Sequence, residues 1–336
     1  MSHKYSSRTT ADVVVKDLAS QIAGTTVLLT GVSSGGLGAC FAEQIAKSPQ
    51  KPKLIILAGR SIKKIEETAS IVNKAGVTTK ILELDLSSFD RVRKAAAEVL
   101  GWSDVPTIDV LINNAGIMAV PYEVGPDGFE LQLTTNHLGP FLFTNLILEK
   151  VLAAKEPRIV NVASDGHRLS PFRFADYDFH DGENYDRWLA YGQTKTANML
   201  FAVSLAQKLG HRGLTATSLH PGVIGTNLSN HLDWEKDFGD LVKADRWMGN
   251  FEGWKEFEFK SLEQGAMTHV YAAFEPSLKG GKSYLLRIAS VGLLTDMLQH
   301  TTAHTPLTDM SPIQEILKRP SSLGQRTPQR HSCCGS

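Results

Sequence analysis

Two residues four positions apart, Tyr191 and Lys195 in AYGQTKTANML, open a helical stretch of small and apolar residues. Positions i and i+4 share one face of a helix. A free phenol titrates near pH ~10 and is a poor base at neutral pH. A cation beside it stabilises the phenolate and lowers that value. Such a pair suits giving a proton to an oxygen that gains negative charge, or taking it back. Ser164 closes the apolar run PRIVNVAS, at the strand end where a parallel sheet presents its functional groups. Each feature has a plainer reading: Tyr-x-x-x-Lys recurs by chance in helices, a serine can cap a turn, and Asn136 can be a helix-surface amide.

A second set of residues suits a phosphate. TGVSSGGLG, residues 30–38, joins an apolar run to a helical one. Glycines let the chain turn tightly and approach a pyrophosphate, and the helix start offers free N–H groups and a favourable dipole. Gly31, Ser33, Gly35, Gly36, Leu37 and Gly38 are the residues of that loop. At the end of the next strand, LAGRS supplies Arg60, with Lys63 and Lys64 beyond and no carboxylate before Glu66. An acidic residue there would bond the ribose hydroxyls of NAD. Arginine instead suits a 2′-phosphate, which favours NADP; the alternative is a solvated basic helix start.

The elements that must hold these residues alternate. Apolar, β-rich runs lie at 25–31, 53–60, 79–87, 108–116, 157–164 and 214–222, with a seventh at 282–286. Helical spacing lies between them at 36–48, 61–76, 88–100, 132–152 and 191–210. A short amphipathic helix is expected at 10–22 with Thr10 as its N-cap, and Gly139-Pro140 should kink the helix at 132–152. The expected fold is α/β: a Rossmann-type doubly wound parallel sheet of about seven strands with helices on both faces. Two aromatic segments break the rhythm, 165–190 and 227–262, both after strands whose ends face the site. They either wall an apolar pocket for a bulky substrate or pack against the protein or a partner subunit.

The chain has 336 residues, 42% of them hydrophobic, enough for one large core. Lys plus Arg and Asp plus Glu both number 35, so a nucleic-acid partner is not expected. The three cysteines form no disulfide framework and fit a reducing compartment. With no secretory leader and no apolar run of about 18 residues, a cytoplasmic protein without a transmembrane segment is expected. The histidines lack metal-ligand spacing; surface or loop positions are expected for most of them, and no metal. Cys40 should pack within the first helix after the glycine loop. Residues 1–24 read as an N-terminal extension with a short helix, 25–300 as one catalytic domain, and 301–336 as an extension ending in a disordered tail. Cys333 stands four from the end, as prenylation requires, but Cys334 and Gly335 are not aliphatic, which favours a plain tail.

In order, TGVSSGGLG, LDLS (84–87), NNAG (113–116), NHLG (136–139), VNVAS (160–164), YGQTK (191–195) and HPG (220–222) resemble the short-chain dehydrogenase/reductase family over about residues 25–290. NHLGPFLFTNLIL and AYGQTKTANMLF are most similar to its retinol-dehydrogenase-like branch, and TGVSSGGLGA and YDRWLAYGQTK to fungal members. The glycine loop carries one residue more than the usual family spacing, so which of Gly35 and Gly36 meets the pyrophosphate stays open. The resemblance implies an NADP(H)-dependent oxidoreductase acting between a carbonyl and an alcohol on a bulky apolar small molecule, as in fungal secondary metabolism. It gives Ser164 to the substrate oxygen, Tyr191 to its proton, Lys195 to Tyr191 and the cofactor ribose, and Asn136 to a water joining Lys195 to solvent. It gives Asp85 and Leu86 to the adenine side, and Asn114, Ala115 and Gly116 to the strand end along the cofactor, supported by Asn113. Pro221, Gly222 and Val223 fall to the nicotinamide, and Thr226 to its carboxamide or a phosphate. Family members often assemble through helices such as 132–152 and 191–210, so a homo-oligomer is expected. Two other readings stand beside this one: a non-catalytic nucleotide sensor, and an isomerase or dehydratase that uses the nicotinamide transiently.

Overall fold

The computed structural model describes residues 4–254, 258–278, 283–289 and 292–297. Helices α1 (Ala11–Asp17) and α2 (Ala19–Ile22) precede the first strand, β1 (Thr26–Thr30). There follow α3 (Leu37–Ala46), β2 (Leu54–Gly59), α4 (Ile62–Lys74), β3 (Thr78–Glu83), α5 (Phe89–Gly101) and β4 (Val110–Asn113). Then come α6 (Leu131–Leu133), α7 (Gly139–Leu152), β5 (Arg158–Val162), α8 (Arg187–Leu209), β6 (Thr215–His220) and β7 (Val223–Ile224). The rest are α9 (Trp234–Trp247), β8 (Phe259–Lys260), α10 (Leu262–Phe274), β9 (Ser283–Ala289) and β10 (Gly292–Met297).

Six strands form a parallel sheet in the order β3-β2-β1-β4-β5-β6. The expected seventh strand is β9, parallel to β6; β10, which the sequence reading did not foresee, runs antiparallel along β9. β7 and β8 pair separately as a short parallel ladder.

The inner strands β1, β4 and β5 are wholly buried because both faces are covered, whereas the edge strand β3, with Thr78, Thr79, Lys80 and Glu83, is partly open; successive side chains go to opposite faces. Val27, Leu29, Ile55, Leu57, Val110 and Ile112 join one cluster, with Val14 of α1, Phe41 of α3, Ile65 of α4 and Met267 of α10. Leu28, Ile56, Leu111 and Ile159 join the other, with Val92 of α5, Phe143 of α7 and Phe201 of α8. Val14, Val15 and Ile22 are therefore core residues, and the segment before β1 packs into the domain.

Strand order reverses between β1 and β4, and the crevice outside their carboxyl ends is where such sheets take ligands. The glycine loop leaves β1 at that point.

Two expected helices differ in detail. The first breaks at Leu18 into α1 and α2; Thr10 is its N-cap by position, but its side chain makes no capping bond. The helix expected over 132–152 contains a π-helical turn, Thr134–Leu138, between α6 and α7. Pro140 has no N–H for the carbonyl of Asn136, and the Gly139 N–H bonds Thr134 O instead. The irregularity thus falls on Asn136 itself. Among the described residues, no helix is long and apolar enough to cross a membrane. Residues 301–336, with Cys333 and Cys334, lie outside the described residues.

Candidate active site

At the switch point the chain builds a cleft of about 530 Å³. Its floor is the glycine loop. Gly31 turns with φ +75°, and a Cβ there would lie 2.7 Å from the Cα of Ala115. A Cβ on Gly38 would lie 2.5 Å from Gly31 O, so α3 starts in direct contact with the turn. Asn114 ties this corner together: its Nδ2 donates to Thr30 O at 2.9 Å and to Gly31 O at 3.0 Å, while Thr30 Oγ1 accepts from the N–H groups of Asn114 and Ala115. No side chain caps α3, whose N-cap is Gly36. Gly36 and Leu37 line the cleft, leaving the helix start facing it as anion binding requires.

Gly31, Ser33, Gly36, Leu37, Arg60, Lys64, Leu86, Asn114, Ala115 and Gly116 line the cleft, as do Pro221, Gly222, Val223 and Thr226. Gly35, Gly38, Lys63 and Asp85 do not. Of the two adjacent glycines, Gly36 therefore faces the cleft, while Gly35 makes the left-handed turn at φ +77°. The carboxylate of Asp85 accepts from Ser87 N at 3.1 Å and Ser87 Oγ at 2.6 Å, and so closes a local turn. Asn113 supports the sheet instead, donating to Asn161 Oδ1 and Thr144 Oγ1. The steric fit of the loop, the uncapped helix start and the exposed Arg60 at the end of β2 suit a dinucleotide.

Ser164, Tyr191 and Lys195 meet on this cleft. Helix α8 begins at Arg187, before the expected 191, because Asp186 caps it by accepting from the N–H groups of Trp188 and Leu189. That puts Tyr191 and Lys195 past the first turn, where the i, i+4 register is secure. The Lys195 Nζ sits 5.4 Å from the Tyr191 ring centre and donates to Val162 O at 3.2 Å. Ser164 bonds Tyr191, and its Oγ accepts from Gly166 N at 3.0 Å. Accepting that bond leaves the hydroxyl proton free to be donated elsewhere.

The electrostatics depart from what spacing alone implied. Tyr191 and Lys195 are each 5% exposed. Burial pushes the phenol up to about 12, opposed by the Ser164 hydrogen bond, and pushes the ammonium down to about 8. Desolvation of both charged forms outweighs the mutual attraction that a local reading emphasises.

Asn136 lies on the π-helical turn. Its Oδ1 accepts from Ile117 N at 2.8 Å, and its Nδ2 donates to Ile117 O at 2.8 Å and to Thr194 Oγ1 at 3.1 Å. The side chain is committed to holding the segment after β4; Pro140 cannot donate to its carbonyl as a regular α-helix would require.

The two aromatic segments divide between the two roles anticipated for them. Trp188, Trp234, Trp254 and Phe259 line the cleft with Met118, Leu169 and Leu241. Phe172, Tyr177 and Phe179 pack into the protein, Phe174 is partly exposed, and Trp247 is 70% exposed. The Tyr185 hydroxyl donates to Val120 O and to the buried carboxylate of Glu130, fastening the first segment to the core. Arg168 bonds Asp245 through two nitrogens, at 2.9 and 3.1 Å, and stacks on Trp254; Arg187 pairs with Asp237. Helix α9 is thus tied to the segments that carry Ser164 and Tyr191.

Five of the seven described histidines, His167, His180, His211, His220 and His231, lie at exposed or half-buried positions, as expected for most of them; two do not. His137 and His269 are wholly buried, and burial pushes each down to about 4. His220 lines the cleft and accepts from Asp165 N at 3.0 Å. Among the described residues no cluster of three metal-ligating side chains occurs. Cys40 is buried in α3, its thiol pushed up to about 12 by burial. His269, Gly166 and Glu130 were missed as site residues. His269 faces a side chain 155 residues away, and Gly166 matters through its contact with Tyr191 of another element; Glu130 had a local signal, as an acidic N-cap.

Comparison with known proteins agrees with this geometry. A family profile described as short chain dehydrogenase matches residues 25–178. Retinol dehydrogenase 14 of Homo sapiens is 35% identical over 272 residues, covering 76% of this chain and 76% of that protein. The short-chain dehydrogenase/reductase prx1 of Penicillium roqueforti is 36% identical over 265 residues, covering 77% of this chain and 72% of that protein. Among solved structures, an uncharacterized protein from Mycobacterium Paratuberculosis aligns with a TM-score of 0.63 at 30% identity, covering 90% of this chain and 96% of that one.

Proposed function

The chain belongs to the short-chain dehydrogenase family, and from that premise we propose that it is an NADP(H)-dependent oxidoreductase that interconverts a carbonyl and an alcohol on a bulky, apolar small molecule. The observation that carries the proposal is the convergence of Ser164, Tyr191 and Lys195 on the same cleft that the glycine loop and Arg60 line. The nicotinamide, when bound, supplies or accepts the hydride. Everything else falls to the protein's own residues.

As a carbonyl is reduced, charge gathers on its oxygen. Ser164, its own oxygen already accepting from Gly166 N, donates to that oxygen and holds it beside Tyr191. Tyr191, kept neutral at pH 7 by burial, gives up its phenolic proton. The phenolate then forms next to the Lys195 ammonium, which offsets its desolvation. Asn136 clamps Ile117, and its carbonyl, to which Pro140 cannot donate, would hold a water that returns a proton by way of Lys195. Alcohol oxidation uses the same groups in reverse.

Arg60 and Lys64 at the cleft rim support NADP(H), since a guanidinium matches a 2′-phosphate with several donors. Trp188, Trp234 and Trp254 support a bulky, apolar substrate. The test is Tyr191→Phe, followed by NADPH oxidation with bulky ketones. Turnover should fall by about 10²- to 10⁴-fold while the NADPH Kd stays within about twofold. Full activity in this variant overturns the assignment.

A further inference from the structure

His269 of α10 sits behind the glycine loop, wholly buried, 155 residues from its nearest polar partner. Its Nε2 is 3.2 Å from Asn114 Oδ1. Which of these atoms carries the hydrogen follows from the neighbours. The Asn114 amide touches two carbonyl oxygens, Thr30 O and Gly31 O, through the atom that must be nitrogen, because carbonyls only accept. The other end of the amide, facing His269, is therefore oxygen and requires a donor. Burial leaves the imidazole one proton at neutral pH. Its two nitrogens each face an oxygen, and Asn114 Oδ1 at 3.2 Å is nearer than Gly265 O at 3.4 Å, which assigns the proton to Nε2.

The amide so held is wedged at the base of the loop. A Cβ on Gly38 would lie 2.7 Å from Asn114 Nδ2, and one on Gly31 would lie 2.9 Å from it. The turn at Gly31 and the start of α3 therefore both rest on Asn114. We propose that His269 is a positioning residue for the dinucleotide cradle: its Nε2–H holds Asn114 Oδ1, so that the Asn114 amide keeps both N–H groups on the carbonyls where the chain enters the glycine loop. This rests on reading the cleft as a nicotinamide-dinucleotide site. His269 touches neither the substrate nor the reacting atoms; it acts through Asn114.

The experiment compares His269→Leu, which removes the donor, with His269→Gln, which can keep one. NADPH and NADH Kd are measured by nicotinamide fluorescence, with kcat measured at saturating dinucleotide. The tautomer of His269 is read by nitrogen NMR on the dinucleotide-free wild-type protein. The wild type should show a protonated Nε2. His269→Leu should bind dinucleotide about tenfold more weakly, as expected for one lost hydrogen bond. Its kcat should stay within about twofold, and His269→Gln should restore binding to within about twofold of wild type. A protonated Nδ1, equal binding by the two variants, or a loss that falls on kcat and not on Kd overturns the role of His269 alone. A wild-type protein that binds neither NADPH nor NADH overturns the reading of the cleft, and this role with it. If His269→Leu does not fold, the tautomer and the Gln variant still decide.

Discussion

Replacing Lys195 by Met should make the protein more stable while destroying its activity. Lys195 is 5% exposed, and burial pushes its ammonium from an ordinary 10.5 down to about 8. That displacement corresponds to about 3 kcal/mol against the charged form in the folded state. Methionine has nearly the same length and no charge. It loses the hydrogen bond from Nζ to Val162 O, about 1 kcal/mol, but that carbonyl keeps Asn198 Nδ2 at 3.3 Å. The net expectation at pH 7 is a gain of about 2 kcal/mol. The sign reverses its trend with pH in a defined window. Between about pH 8 and 10.5 the unfolded chain binds more protons at this site than the folded one, so wild-type stability rises with pH. The advantage of the variant should therefore shrink from pH 7 to pH 9.5. Urea unfolding of both dinucleotide-free proteins at the two pH values measures this directly, with NADPH oxidation as the activity control. Equal or lower stability of Lys195→Met at pH 7, or an advantage that does not change with pH, would refute the claim that desolvation dominates this residue.

Two other substitutions probe the cleft. Arg60→Ala should weaken NADPH binding about 10- to 100-fold, the range for losing charge-assisted hydrogen bonds, while leaving NADH within about twofold in the same fluorescence titration. An equal effect on both dinucleotides removes the 2′-phosphate role. Gly166→Ala places a Cβ 2.7 Å from Tyr191 Cε1 and 3.4 Å from Ser164 Oγ, so the phenol must move. Turnover should drop about a hundredfold with the NADPH Kd unchanged; unaltered kcat would mean that the ring tolerates displacement.

The parallel sheet was legible because its signal is local and repeated. Strands β1, β2, β4 and β5 each carry an apolar run bounded by turn residues, and alternation sends Leu28 to one face and Val27 to the other. The antiparallel β10 falls after the last run with that rhythm, and the π-helical turn at Thr134–Leu138 involves a change of one residue in bonding that composition does not record. Within the site, the i, i+4 pair at Tyr191 and Lys195 was legible for the same local reason. The aromatic segments were not, because loop geometry decides their fate. Phe179, His180 and Asp181 all adopt left-handed backbone, which turns Phe179 inward, while Trp188 just beyond reaches the cleft. The buried histidines have partners 61 and 155 residues away, beyond any spacing rule. The protonation states follow the same logic. A sequence shows that a cation stands near a phenol, and so suggests that the phenol's pKa falls. It does not show that α8 is covered on the side bearing both groups, and that burial raises the phenol and lowers the ammonium. Proximity is a property of four residues, whereas desolvation is a property of every element packed around them; only the folded chain contains the second.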